Sequence, residues 1–151
     1  MRQNGDALEF ASADCKNNYD IVMVAVSQNG WSLRFASAKL KDNREIAMAA
    51  VKKWGWALEY VSAEHAGDVA IVMEAIKTSG SALQHASFAI RDNYEVVMKA
   101  VEKNGWALRF ATAKLKNNSE IVTTAVRQHV GALEYASDEL KADHEFAKKL
   151  V

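Results

Sequence analysis

The amino-acid sequence predicts an all-α fold, an α-solenoid of six tandem 25-residue helical hairpins, and three observations carry that prediction. Leu8, Leu33, Leu58, Leu83, Leu108 and Leu133 stand 25 residues apart, and Ala11, Ala36, Val61, Ala86, Ala111 and Ala136 keep the same interval. Each period contains two stripes of apolar residues at the 3.6-residue repeat of a helix. The chain of 151 residues contains seven glycines and no proline, so the connections between helices are few and short. Together these describe one helical-repeat domain over residues 1–151, with units near 4–28, 29–53, 54–78, 79–103, 104–128 and 129–151.

The first helix of a unit is read from Ala7, Leu8, Ala11 and Cys15, a stripe that returns as Ser32, Leu33, Ala36 and Leu40. The second helix is read from Ile21, Val22, Ala25 and Val26, written again as Ile46, Ala47, Ala50 and Val51. Leu33, Ala36, Leu40, Ile46, Ala50 and Val51, with their equivalents in other units, are expected to be almost fully buried. "DNRE" at 42–45, "DNYE" at 92–95 and "NNSE" at 117–120 place an Asx three residues before a Glu, the spacing of a capping box at the start of the second helix. Asn29-Gly30 and Asn104-Gly105 follow its last apolar position, where a left-handed glycine closes many helices. Val130 stands where the sixth glycine is due, so the helix ending near Gln128 is expected to run one residue longer or to close through Gly131. Helices of roughly ten residues are marginal alone, and each unit must bury its apolar face against its neighbours.

Composition narrows the function classes. Nineteen basic residues balance nineteen acidic ones, which argues against a surface built to neutralise a polyphosphate chain. Cys15 is the only cysteine, so no intramolecular disulfide forms. No apolar run approaches the roughly 20 residues of a membrane span, and "MRQNGDALEF" lacks the apolar block of a signal peptide. The expected location is intracellular, in the cytoplasm.

The stretch "DNREIAMAAVKKWGWALEYVSAE" and its five counterparts resemble the helical repeats of domain of unknown function 4116 over the full chain. The resemblance implies a tandem α-helical repeat with no assigned activity. The sequence departs from the pattern at Ala66 to Ala70, where the capping box is lost, and at His129 to Gly131, where the glycine has slipped by one.

A residue type present in every unit answers a structural demand, whereas catalysis needs one unique constellation. The serine column Ser12, Ser37, Ser62, Ser87, Thr112 and Ser137 is therefore read as bonding a carbonyl one turn back or a neighbouring helix. Met23, Met48, Met73 and Met98 are read as packing between successive second helices. The glutamates are assigned to caps, Cys15 to the core, and the four histidines lack the spacing of a metal pair. No catalytic residue, cofactor or metal is expected, and the protein is read as not an enzyme. The favoured function is a scaffold for protein–protein interaction. A nucleic-acid-binding repeat, or an enzyme site in the irregular third or sixth unit, is the alternative. The candidate partner-binding residues are Trp31, Arg34, Phe35, Trp56, Tyr60, Trp106, Arg109 and Phe110, with Trp31–Phe35, Trp56–Tyr60 and Trp106–Phe110 as i, i+4 aromatic pairs. Inter-repeat packing is the competing reading of that column. Tryptophan gives way to Asp6, Ser81 and Gly131 in the other three units, which favours partial exposure. Met1 falls in the phase of Val26 and the first unit is as apolar as an internal one, so the N-terminal end is expected to be covered by a further segment of a longer parent protein or, through self-association, by another copy.

Overall fold

The computed structural model describes residues 5–151, and every regular element among them is helical. The phase reading of Met1 lies outside the described residues. The all-α solenoid is present, but each unit holds three helices where the sequence predicts two. The long helices are α2 (Tyr19–Gln28), α4 (Arg44–Lys53), α6 (Val69–Thr78), α8 (Tyr94–Lys103), α10 (Ser119–Gln128) and α12 (His144–Leu150). The predicted first helix is divided into a six-residue 3-10 helix and a short α-helix. The 3-10 helices are Gly5–Phe10, Gly30–Phe35, Gly55–Tyr60, Gly80–His85, Gly105–Phe110 and Val130–Tyr135. The short helices are α1 (Ala13–Lys16), α3 (Ala38–Lys41), α5 (Ala63–Ala66), α7 (Phe88–Arg91), α9 (Ala113–Lys116) and α11 (Asp138–Ala142).

The serine column causes the division. Ala36 and Ser37 both take extended backbone, with ψ of 156°, and the Ser37 Oγ accepts from the Leu40 N–H at 3.3 Å. That is an N-cap. Ser12, Ser62, Ser87 and Ser137 cap their short helices in the same way, so these hydroxyls do not bond a carbonyl one turn back. The bond to a neighbouring helix is formed at three positions, where the hydroxyls of Ser37, Thr112 and Ser137 donate to Asn17, Asp92 and Asn117 of the preceding unit at 2.8, 2.6 and 2.5 Å, and Thr112 alone makes no cap bond. The extended break also joins units through the backbone: the N–H groups of Ser37, Ser87 and Ser137 donate to the carbonyls of Lys16, Ala66 and Lys116, each at 2.9 Å.

The long helices begin one residue later than the capping-box spacing implies. Asn43 and Asn118 are the N-caps, accepting from the N–H of Glu45 and Ile46 and of Glu120 and Ile121. The glutamates stand at the second helical position and leave the box unformed. Glu45 and Glu120 instead accept hydrogen bonds from the Tyr19 and Tyr94 hydroxyls at 2.6 Å, which hold those phenols above the usual tyrosine range. No cap is lost in the third unit, because Asp68 accepts from Ala70 and Ile71.

Glycine has a different job from the predicted one. No described residue has a positive φ. Asn29 and Asn104 end their helices in extended backbone and cap the 3-10 helix that follows, accepting from the N–H of Trp31 and Trp106. A Cβ on Gly30, Gly55 or Gly105 would lie 2.3 Å from the carbonyl oxygen of Ala50, Ala75 or Ala125, so the column is held by close approach of each 3-10 helix to the long helix of its own unit. The helix before Val130 therefore has no reason to differ. It spans ten residues like α2, α4, α6 and α8, and His129 closes it with φ of −145°. Val130 is 78% exposed.

Long helices pack on long helices in one layer, and 3-10 helices on 3-10 helices in another, with the core between the layers. Leu33, Ala36, Leu40, Ile46, Ala50 and Val51 are all buried, as are the alanines Ala75, Ala100 and Ala125 that let the layers approach closely. The four methionines are half-buried against this core. Burial relaxes in the first unit, where Ala11 and Cys15 are half-buried, Ile21 and Val24 are exposed, and Phe10 is 86% exposed.

Candidate interaction surface

The aromatic column lies on the layer of 3-10 helices. Arg34, Arg109 and Trp106 are exposed, Trp106 by 39%, while Trp31, Phe35, Trp56, Tyr60 and Phe110 are half-buried. Each tryptophan follows the start of a 3-10 helix, which has three residues per turn and no straight continuation into the short α-helix. The i, i+4 pairing read from the sequence consequently holds only for Trp31 and Phe35, whose rings meet edge-on at 5.0 Å. Trp56 packs edge-on against His85 at 5.4 Å, and Trp106 against Tyr135 at 6.2 Å, in place of Tyr60 and Phe110. Trp31 reaches the Tyr60 hydroxyl of the next unit in the same sense. Burial first, then Glu59, pushes that hydroxyl above the usual tyrosine range, with Trp31 and Arg34 opposing.

Each tryptophan thus spans two units. Trp56 donates its indole N–H to Ser79 Oγ at 3.0 Å, and Trp106 also lies 5.4 Å from the His129 ring. A Cβ on Gly131 would meet the far edge of the Trp106 indole at 2.6 Å, so the small residue in the sixth unit makes room for the large one in the fifth. The arginines lie over the same rings. The Arg34 guanidinium carbon is 5.4 Å from the Trp31 ring centre and 5.7 Å from Phe35, and that of Arg109 is 5.2 Å from Phe110 and 5.7 Å from Tyr135.

His85, His129 and Tyr135 belong to this surface and were not among the sequence candidates. Their positions in the aromatic column or at a unit boundary were legible, but their ring partners lie one unit away. His85 Nε2 and His129 Nδ1 are buried without a hydrogen-bond partner, and burial holds His85 below the usual histidine range, with Glu59 opposing. A second missed feature is the basic column Lys16, Lys41, Arg91, Lys116 and Lys141, interrupted at Ala66, which its 25-residue spacing displays directly.

His65 takes the place of a core leucine and is buried, with Nε2–H donating to the Asp42 carbonyl at 2.8 Å. Among the described residues, no three of His, Cys, Asp and Glu converge as metal ligands, and no helix is long and apolar enough to cross a membrane. A groove of about 480 Å³ between α10 and α12 is lined by Ser119, Glu120, Thr123, Thr124, Arg127 and Lys149.

The family model described as Domain of unknown function (DUF4116) matches six overlapping segments, residues 1–41, 25–66, 43–91, 68–116, 93–141 and 118–151. Neither the curated proteins nor the solved structures contain a match to this chain. The matches run through the whole chain and the structure builds one helical unit six times over, so the protein belongs to the DUF4116 family.

Proposed function

We propose that the array is a non-catalytic scaffold for protein–protein interaction, and that a partner docks on the layer of 3-10 helices along Trp31, Arg34, Phe35, Trp56, Tyr60, Trp106, Arg109 and Phe110. The observation that carries this reading is Trp106, which keeps 39% of its surface exposed beside an arginine held over two rings. Its position does not demand an aromatic residue for stacking, since Asp6, Ser81 and Gly131 occupy the same place in other units. Tryptophan and arginine are the side chains most enriched at interface anchors, because they combine large contact area with directed polar groups.

The test is capture of partners by the intact chain from an extract of its own source, compared with capture by Trp106→Ala and by Arg109→Glu. Selective loss of a retained protein in both variants, with their folded stability intact, supports the reading. Unchanged capture by both would place the docking surface elsewhere.

A further inference from the structure

The 3-10 layer carries a local excess of positive charge that the molecule itself does not neutralise. The position of Arg109 is Glu9, Glu59 and Glu134 in other units, and only the second and fifth units hold arginine there. In the fifth unit Arg109 is joined by two members of the basic column. Arg91 ends α7 and Lys116 ends α9, and the Thr112 N–H donates to the Arg91 carbonyl at 3.2 Å, which fixes the end of one short helix against the start of the other. Arg91 and Arg109 both lie near enough to disfavour the charged form of the Lys116 ammonium, although burial is the larger cause. The adjacent acid is already taken: Asp92 pairs with Lys114 at 3.4 Å and accepts from Thr112. Among the described residues none of the three cations has a carboxylate partner, and the Arg91 Nε is buried with no acceptor at all.

An unsatisfied buried donor is costly, and three mutually repelling cations without a counter-charge raise that cost further. An anion at the outer ends of the side chains relieves that repulsion. We propose that Arg91, Arg109 and Lys116 form a binding site for a single phosphoryl group carried on a side chain of the partner protein. The proposal rests on the scaffold reading and names the chemistry of its ligand. A phosphoryl dianion brings close to two charges and three acceptor oxygens to three cationic donors, whereas a carboxylate brings one charge. Guanidinium groups match such oxygens in a two-pronged geometry. The contacts of the Arg109 guanidinium with the Phe110 and Tyr135 rings, at 5.2 and 5.7 Å, orient its fork in advance. A nucleic acid fits less well, because Glu59 and Glu134 occupy the corresponding positions in the third and sixth units and the chain has no net charge. A polyanion laid along the layer would run past Glu134 and Glu59, while one isolated phosphoryl group need not.

The second unit supplies an internal control. "NGWSLRFASAKLKDN" at 29–43 and "NGWALRFATAKLKNN" at 104–118 differ only at Ser32/Ala107, Ser37/Thr112 and Asp42/Asn117, so Arg34 and Lys41 reproduce Arg109 and Lys116. The third cation there is Lys16, whose Nζ donates to the Glu9 carbonyl at 3.0 Å and is drawn away. The second unit is half a site.

The full chain is titrated with a short phosphoserine peptide, its serine and glutamate counterparts, inorganic phosphate and an oligouridylate. Affinity is read by calorimetry, and the Arg91 Nε–Hε resonance is followed by NMR. The expected result is binding of the phosphopeptide with a shift of that resonance, weakened about tenfold by Lys116→Gln and by Arg109→Gln and little changed by Lys41→Gln. Urea unfolding confirms that each variant is folded. Equal affinity for the serine or glutamate peptide overturns the proposal. So does inorganic phosphate binding as well as the peptide, which marks an adventitious ion only, and so does tighter binding of the oligouridylate or no binding at all. None of these outcomes removes a partner lost on Trp106→Ala, so the scaffold reading stands or falls separately.

Discussion

Gly30, Gly55, Gly80 and Gly105 are required by distance and not by dihedral angle. Gly105→Ala pushes a methyl group into the Ala125 carbonyl and is expected to cost about 1–3 kcal/mol, as overpacking does. Val130→Ala, at the exposed sixth position, should stay within about 0.5 kcal/mol in urea unfolding. The glycine column was plain in the sequence, but its reason was not, because the carbonyl it avoids lies 20 residues away and belongs to tertiary structure. His85 gives a second residue-scale outcome. Burial holds its folded imidazole below the usual range, so below about pH 6.5 the unfolded chain takes up a proton that the folded one resists. Stability from this site is full above that pH and is lost as pH falls through it. His85→Phe, which restores the ring of other units, is expected to lose less stability than the parent between about pH 7.5 and about pH 5.5. Equal losses would contradict the assignment.

At the scale of elements, the serine column decides where one helix becomes two. Leu33, Ala36 and Leu40 are all buried, so the apolar stripe located the core correctly while the chain took a different path between those points. A serine inside an apolar stripe is ambiguous between bonding back to the preceding turn and capping the next one. Ser87 and its equivalents choose the cap, since their extended backbone places the hydroxyl over the N–H three residues on. Ser87→Ala is expected to cost about 1 kcal/mol in urea unfolding. Thr112→Ser should change stability by less than about 0.5 kcal/mol, because Thr112 makes no cap bond and serine can still donate to Asp92. A signal was available: these residues recur at the unit period directly before a short apolar segment, as Asn43 and Asn118 do before the long helices.

In the whole molecule, each unit leans on the next through the alanine-lined core, the backbone bonds of the serine column and the tryptophans that reach across unit boundaries. Ala111 is buried among these contacts, and Ala111→Leu is expected to cost about 1–3 kcal/mol, with unchanged stability arguing against the packing described. Period, unit number and core were legible in one sequence because they are stated six times. The surface was half legible, since the identity of its residues is local but their partners are not: Trp56 finds His85 and Trp106 finds Tyr135 in the following unit. The scaffold proposal requires this row to be a surface available to a partner and not a second core. Urea unfolding of Trp106→Ala beside Leu108→Ala tests it most directly. The expected result is a cost under about 2 kcal/mol for Trp106→Ala against about 2–5 kcal/mol for Leu108→Ala. A loss of about 3–5 kcal/mol for Trp106→Ala, typical of core aromatics, would contradict the claim.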